Sequence, residues 1–294
     1  MSSKLGVKLE KYPSQVCKPW GQDKLLILIP HGADYHWIVK QFPDLSALLT
    51  EDYISYLKIE ADHGATELAH AIANHLNPKG VEVIIIKTLY NRGVLDGGRV
   101  KDYAVRNSLP RAIKEKLEKE LLDLHEQSVN FIKEHCALIA ADGGFVLDLH
   151  TMAPVCPVFK SEDEKHAHYE SIGEYTKRFI YPGSFNNLRP VDILSEDENG
   201  KVITDEQLSS LVFDNLKQAG LEVEFNFPYK NHSMYMMNEY LSIANGIAID
   251  FPKHLISVGS ISDFKLDNFE IDSLKLSAIA EAISNAVVSR FQSN

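Results

Sequence analysis

The segment that decides the fold is a short apolar run and the polar residues after it, LLILIPHGAD at residues 25–34. A continuous apolar run of this length is typical of a β-strand that is buried on both faces. Its end matters for function, because ligands of open α/β sheets bind outside the carboxyl ends of the strands. The segment therefore predicts a central strand that places His31 at a ligand-binding edge.

Strand-like and helix-like patterns alternate along the rest of the chain. Apolar or alternating runs predict further strands over Val81–Lys87, Gly144–Leu149, Glu222–Phe227 and Ile247–Phe251. Apolar residues at helical spacing predict helices over Thr66–Leu76, Arg111–Cys136, Asp205–Gln218, Met234–Ala244 and Ser273–Phe291. This alternation predicts an α/β fold with a mainly parallel or mixed central sheet and helices on both faces.

The length of 294 residues suits one large domain. We expect a single α/β domain over residues 1–294, with an N-terminal extension at residues 1–23. Residues 151–194 form the least regular part, because they contain Pro154, Pro157, Pro182, Gly183 and Pro190. A long irregular loop in a compact domain is often functional, so we expect this one to lie near the site.

The composition excludes several classes of partner. The formal net charge of −11 leaves no basic surplus for nucleic acid or an anionic membrane. No apolar stretch is long enough to span a bilayer, and the polar N-terminus lacks the core of a secretory signal. Cys17, Cys136 and Cys156 have no CxxC spacing, which argues against a disulfide framework. We therefore expect a cytoplasmic protein, and the sequence leaves its oligomeric state open.

Two histidines stand at the ends of predicted strands, His31 after the first and His150 after the third. A catalytic zinc site takes about three histidine or carboxylate ligands and keeps one position open. Either Asp34, three residues beyond His31, or Asp62, just before a predicted helix, could be the third ligand. We expect Asp148, two residues before His150, to lie on the other face of its strand and to hold neighbouring backbone groups rather than the metal.

Charged residues near two other strand ends suggest how a substrate is bound and cleaved. Arg92 and Arg99 flank a glycine-rich turn, and an arginine side chain matches a carboxylate with two hydrogen bonds. Asp250 lies within an apolar strand, where an unpaired carboxylate is costly to bury. We therefore expect Asp250 to face a polar cleft, where a carboxylate can act as a general base.

Five of these segments, in this order, resemble the N-formylglutamate amidohydrolase family, whose fold is similar to that of the zinc carboxypeptidases. They are Ile29–Gly32 (IPHG), Glu60–Ala65 (EADHGA), Asn91–Arg99 (NRGVLDGGR), Leu147–Thr151 (LDLHT) and Gly246–Phe251 (GIAIDF). The resemblance favours Asp62 over Asp34 as the third ligand. The chain departs from the family pattern at Gly98, where the family has Asn, at Asp250, where it has Glu, and in the loop at residues 151–194.

The resemblance implies a zinc-dependent amidohydrolase that cleaves the amide of a small N-acyl amino acid such as N-formylglutamate. The residues it implies are the Zn²⁺ ligands His31, Asp62 and His150, the catalytic residues Asp250 and Arg92, and the substrate-binding residues Asn91, Arg92 and Arg99. Another divalent metal would also suit nitrogen and oxygen ligands. The alternatives are a carboxypeptidase-like peptidase, another metal-dependent deacylase, or a non-catalytic protein that binds a carboxylate.

Overall fold

A mixed sheet of seven strands crosses the described part of this computed structural model, which comprises residues 5–16, 23–157, 159–161, 163–180 and 187–293. Its strands are β1 (Val7–Tyr12), β2 (Asp23–Ile29), β3 (Val81–Thr88), β4 (Phe145–Met152), β5 (Val191–Ile193), β6 (Val223–Phe225) and β7 (Gly246–Pro252). Their order is β1-β3-β2-β4-β7-β5-β6. The central strands β3, β2, β4 and β7 are parallel, whereas β1 and β5 run antiparallel to β3 and β7.

Helices cover both faces of the sheet, so the expected α/β fold is confirmed. In the described residues they are α1 (His36–Gln41), α2 (Glu51–Glu60), α3 (Ala65–Leu76), α4 (Lys101–Ala104), α5 (Arg111–Ala141), α6 (Ile172–Ile180), α7 (Glu206–Gln218), α8 (Met237–Ile243) and α9 (Ser273–Gln292). One hydrophobic core joins the sheet to α3, α7 and α9, and a second joins its other face to α5 and α8. None of the described helices is both long and apolar enough to cross a membrane.

The strand β2 shows why the apolar run at residues 25–30 has no alternation. Leu25, Ile27 and Ile29 belong to the core under α3, whereas Leu26 and Leu28 belong to the core under α5. Successive side chains of a strand point to opposite faces, and both faces are covered here. Every position from 25 to 29 must therefore be apolar.

Two regions contain more regular structure than the sequence indicated. Residues 7–12, within the expected N-terminal extension, form the edge strand β1, whose lysine and glutamate side chains hid the strand pattern. The segment at residues 151–194 contains the end of β4, all of α6 and the short β5. The expected irregular loop is therefore shorter, although Pro182 and Gly183 lie outside the described residues, as does Cys17.

The parallel strands bring the functional residues to one edge of the sheet. His31 lies two residues beyond the end of β2, and His150 and Asp250 lie near the carboxyl ends of β4 and β7. His150 and Asp250 are register partners in the adjacent strands β4 and β7, so their side chains share a face of the sheet. This topology places two imidazoles and a carboxylate beside one cleft.

Candidate metal centre

Three side-chain atoms form a tight triangle at the edge of the sheet. His150 Nδ1 lies 3.2 Å from both His31 Nδ1 and Asp62 Oδ2, and His31 Nδ1 lies 3.4 Å from Asp62 Oδ2. Ligand atoms bound about 2.0–2.1 Å from a tetrahedral zinc ion are about 3.3 Å from one another. The three residues form a group that could hold a metal ion, and the spacing of their atoms matches such an ion.

The chemistry of these three side chains also fits a bound cation. Two imidazole nitrogens face each other, and Asp62 Oδ1 is buried without a hydrogen-bond partner in the described residues. Burial alone raises the pKa of Asp62, but Arg92 and hydrogen bonds with the two histidines hold it well below its usual value. The carboxylate is therefore ionised, as a metal ligand must be.

The segment that carries Asp62 is held in place by backbone contacts. The Asp62 amide donates to the carbonyl of His31 at 2.8 Å, which ties the end of α2 to the end of β2. Gly64 then adopts a φ of +90°, and a Cβ there would approach Ile256 Cδ1 to 2.2 Å. Glycine is required at this sharp turn into α3, because the conformation is left-handed and the space is filled.

Each histidine contacts a second carboxylate through its other ring nitrogen. His31 Nε2 lies 2.7 Å from Asp96 Oδ1, and His150 Nε2 lies 3.4 Å from Asp148 Oδ2. Such contacts orient the ring and fix its tautomer in metal sites. Our expectation that Asp148 holds backbone groups was wrong, because residues two apart in a strand share a face and Asp148 therefore lies beside His150.

Asp250 faces the centre from the next strand. Burial raises the pKa of Asp250 to about 6, and its Oδ1 makes no hydrogen bond to any described residue. The nearby ring of His150 partly offsets this effect by favouring the ionised form. A carboxylate with a free oxygen beside a candidate metal centre is placed to accept a proton from water.

Arg92 lies directly against the centre. Its Nε donates to Glu60 Oε2 at 3.0 Å, and its Nη1 lies 3.4 Å from His31 Nδ1 and 3.7 Å from Asp62 Oδ1. About a quarter of the side chain, 28 %, remains exposed toward the cavity. Arg92 therefore supplies a positive charge next to the candidate ligands and is itself partly neutralised.

Two further arginines meet at Asp96. Arg99 Nε lies 3.6 Å from Asp96 Oδ2, and the Arg99 guanidinium carbon lies 4.2 Å from the centre of the Tyr235 ring. Arg106, which the sequence analysis did not single out, donates from Nη1 to the same Asp96 oxygen at 3.3 Å. Burial alone raises the pKa of Asp96, but His31 and these arginines hold it well below its usual range.

Two of the residues considered from sequence lie away from the cavity. Asn91 is fully buried: its amide donates to the carbonyls of Ala33 and Leu57, and its Oδ1 accepts from the amide of Gly93. Its side chain thus holds the turn that carries Arg92. Asp34 is exposed and binds His36, so the structure brings Asp62 and not Asp34 to the two histidines.

The centre opens into one cavity of about 870 Å³. It is lined by the expected metal-binding, catalytic and substrate-binding residues other than Asn91, namely His31, Asp62, Arg92, Arg99, His150 and Asp250, and also by Asp148. Arg106, Arg189 and Lys253 also line it and were missed. Lys253 directly follows β7, so the strand-end rule could have identified it, whereas Arg106 and Arg189 have no comparable local signal.

Lys253 acts through the backbone of the Asp62 segment. Its side chain is 1 % exposed, and Nζ donates to the carbonyl of Ala61 at 2.6 Å and lies 3.4 Å from that of Ile59. Burial lowers the pKa of Lys253 to about 8, although Asp62 and other acids partly offset this effect. The buried ammonium therefore fixes the chain immediately before the candidate ligand.

Comparison with known proteins finds structural relatives only. No family model matches the sequence, and no curated protein matches it. A solved gene product from Agrobacterium tumefaciens superposes with a TM-score of 0.56 at 15 % identity, covering 98 % of this chain and 95 % of that one. An N-formylglutamate amidohydrolase from Ralstonia eutropha superposes with a TM-score of 0.55 at 12 % identity, covering 97 % of each chain.

A metallo-carboxypeptidase from Burkholderia cenocepacia is less similar, with a TM-score of 0.38 at 12 % identity, covering 97 % of this chain and 61 % of that one. The two better matches extend over nearly the full length of both partners. At these identities the likeness is one of fold. The chain therefore shares its α/β fold with the N-formylglutamate amidohydrolase of Ralstonia eutropha.

Proposed function

We propose that this protein is a zinc-dependent amidohydrolase that cleaves the amide of a small N-acyl amino acid such as N-formylglutamate. The observation that carries the proposal is the triangle of His31, Asp62 and His150 atoms beside the free oxygen of Asp250. The arginine-lined cavity suits a substrate with a carboxylate. The fold shared with the Ralstonia eutropha amidohydrolase supports the same activity.

His31, Asp62 and His150 would hold the metal ion. Nitrogen and oxygen ligands with an open position are typical of catalytic zinc, and other divalent ions bind the same ligand types. When bound, zinc supplies Lewis-acid chemistry, since it lowers the pKa of water toward about 7 and polarises an amide carbonyl. Asp96 and Asp148 keep the two rings oriented for this task.

Asp250 is the general base in this proposal. Its carboxylate takes a proton from the attacking water and then returns that proton to the leaving nitrogen of the amide. The register of β4 and β7 keeps this carboxylate beside His150, one of the candidate metal ligands. Burial keeps the pKa of the carboxyl near 6, close to neutral pH, where a group can both accept and return a proton.

Arg92 and Arg99 bind the substrate and its developing charge. Arg92 Nη1 lies within 4 Å of two candidate ligands, so it faces the oxyanion that forms on the amide carbonyl. Arg99, stacked on Tyr235, presents its guanidinium to a substrate carboxylate. Asn91 does not contact the substrate in this proposal and instead shapes the turn before Arg92.

The size of the cavity favours, as a second candidate, a metal-dependent hydrolase that acts on larger substrates. A volume of about 870 Å³ lies near the top of the range for sites that enclose drug-sized ligands, and N-formylglutamate is smaller than such ligands. A deacylase of larger acyl groups, or a carboxypeptidase-like peptidase, would use the same metal centre and fill more of this space.

The test combines elemental analysis with a substrate panel. We expect one equivalent of zinc in protein purified without added metal, and hydrolysis of N-formylglutamate by the zinc-loaded protein. N-acetylglutamate, longer N-acylglutamates and short peptides in the same panel separate the amidohydrolase from the second candidate. Protein that contains no metal, hydrolyses none of these compounds and is stabilised by glutamate would instead be a carboxylate-binding protein.

A further inference from the structure

Arg189 lies on the wall of the same cavity, in the segment between α6 and β5. Its backbone amide donates to the carbonyl of Pro154 at 2.8 Å, and the next residue, Pro190, directly precedes β5. Only 7 % of the residue is exposed, so the guanidinium is held in a protein environment rather than in water. Neither the sequence motifs nor the proposed catalytic steps use this residue.

The other cavity arginines differ from Arg189 in how their charge is neutralised. Arg92 lies 3.0 Å from Glu60, and Arg99 and Arg106 lie 3.6 Å and 3.3 Å from Asp96. Each of these three guanidinium groups is thus paired with a buried carboxylate. A pair of this kind neutralises the charge of the arginine before any substrate arrives, while its remaining N–H groups can still donate to a ligand.

Arg189 has no such partner among the described residues. Its Nε makes no hydrogen bond, and its Nη1 lies 3.5 Å from the sulfur of Met152, which is a weak acceptor. The guanidinium carbon lies 5.2 Å from the centre of the Tyr229 ring, and the Cys156 thiol is also close. All three neighbours are neutral in their ordinary forms, so the buried positive charge lacks an anion.

The position of Arg189 relates it to the proposed chemistry. Its charge favours the ionised form of Asp250, so the two side chains act on each other across the cavity. The described contacts include no ion pair between them, and both side chains line the same cavity. A ligand group that satisfied Arg189 would therefore lie in the cavity that also holds the proposed base.

We propose that Arg189 binds a carboxylate of the substrate through the N–H groups of its guanidinium, and so selects acyl amino acids that carry an acidic group. Two parallel hydrogen bonds from a guanidinium to a carboxylate give both affinity and directional selectivity. That the anion belongs to a substrate rests on the proposed function. The anion site itself rests on a buried guanidinium in the cavity wall that pairs with no carboxylate among the described residues.

The first experiment observes Arg189 directly. Arginine Nε–H signals of the ¹⁵N-labelled, zinc-loaded protein are recorded by NMR, and the Arg189 signal is assigned as the one absent from the Arg189→Lys variant. We expect this signal to move when glutarate, a plain dicarboxylate, is added. Glutaramide, its neutral analogue, should leave it unchanged. An Arg189 signal that does not respond to glutarate overturns the proposal.

The second experiment measures affinity by calorimetry. Arg189→Met should weaken glutarate binding roughly 10- to 100-fold, the effect expected for losing charge-assisted hydrogen bonds, and Arg189→Lys should weaken it less. Arg290→Met is the matched control, because Arg290 is also largely buried but pairs with Asp205. Arg189→Met protein that retains zinc and binds glutarate as tightly as the wild type contradicts the proposal. If Arg189→Met does not fold, the Arg189→Lys affinity and the NMR titration decide.

The two proposals can fail separately. If the zinc-loaded protein hydrolyses no N-acyl amino acid but Arg189 responds to glutarate, the amidohydrolase proposal falls and the carboxylate site stands. If the protein hydrolyses N-formylglutamate and N-formylglutamine equally well, and Arg189→Met leaves that ratio unchanged, the hydrolase stands and the role of Arg189 falls.

Discussion

The geometry of Gly98 gives a sharp test of the metal centre. A Cβ at this position would lie 2.7 Å from His31 Nε2 and 2.8 Å from its Cε1. These distances are about 0.7 Å shorter than the 3.4 Å at which ordinary contact begins. Gly98→Ala must therefore displace either the backbone of the turn or the imidazole of His31.

The ring of His31 cannot give way freely. Its Nε2 is held at 2.7 Å by Asp96 Oδ1, which also accepts the amide of Gly98 at 3.0 Å. Because Asp96 binds both the ring and the turn, relief of the clash shifts the ring by several tenths of an ångström whichever of them moves first, whereas a metal site tolerates about 0.2 Å in its ligand distances. We expect zinc affinity to fall roughly 10- to 100-fold, the range typical of losing an outer contact to a histidine ligand, or about 1.4 to 2.7 kcal/mol.

Zinc affinity is measured by competition with a chromophoric chelator, and folding is checked by circular dichroism. Gly173→Ala is the matched control, because its Cβ would also lie 2.7 Å from a side-chain atom, Asp52 Oδ2. Asp52 is exposed and can rotate away, and alanine is favoured over glycine in α6. The control should therefore bind zinc normally. Folded Gly98→Ala protein with the wild-type zinc affinity would refute the reasoning.

Three further predictions concern the centre and the strands beside it. His150→Ala should abolish stoichiometric zinc in elemental analysis. His135→Ala is the control and should retain zinc, because the His135 ring hydrogen-bonds only to the backbone of its own helix in the described contacts. Full zinc occupancy in His150→Ala protein would remove His150 from the ligand set. Asp250→Asn should lower kcat by about 10²- to 10⁴-fold while zinc content stays unchanged, and a kcat near that of the wild type would exclude Asp250 as the base. Burial raises the pKa of Asp192 to about 7, above its value of about 3.9 in the unfolded chain. Protonated Asp192 therefore contributes its full share to the free energy of unfolding below about pH 4, and this contribution is lost as the pH rises toward 7. In urea titrations, the free energy of unfolding of the wild type minus that of Asp192→Asn should therefore decrease between about pH 4 and pH 7, by about 1.4 kcal/mol for each unit of pKa difference. A difference that stays constant over this range would contradict the raised pKa of Asp192.

Much of the candidate site was accessible from sequence because strand ends are local signals. His31, His150 and Asp250 each follow or end an apolar run, and parallel strands bring their carboxyl ends together. The same rule would have identified Lys253, which follows β7. The expectation for Asp148 was wrong, because side chains two residues apart in a strand share a face and Asp148 therefore contacts His150 in β4.

The role of loop residues depends on which way the loop folds, and spacing along the chain carries little information about that. Asn91 and Arg92 are neighbours in sequence, yet Asn91 turns inward to bind the backbone while Arg92 reaches the candidate ligands. Arg106 and Arg189 enter the cavity from segments that have no strand or helix pattern at those positions. Only their contacts across the fold distinguish them from surface arginines.

The sequence by itself determined the α/β architecture and the edge of the sheet where ligands bind, because burial on both faces demands continuous apolar runs in the central strands. The strand-end pattern left Asp34 and Asp62 open and the family resemblance favoured Asp62, but only the tertiary structure shows Asp62 beside the two histidines and Asp34 in solvent. It also decided that Arg189 is buried without an anionic partner in the described residues. The physical reason is that a local pattern specifies which side chains must be buried, whereas the distances between atoms far apart in the chain arise only when the elements pack.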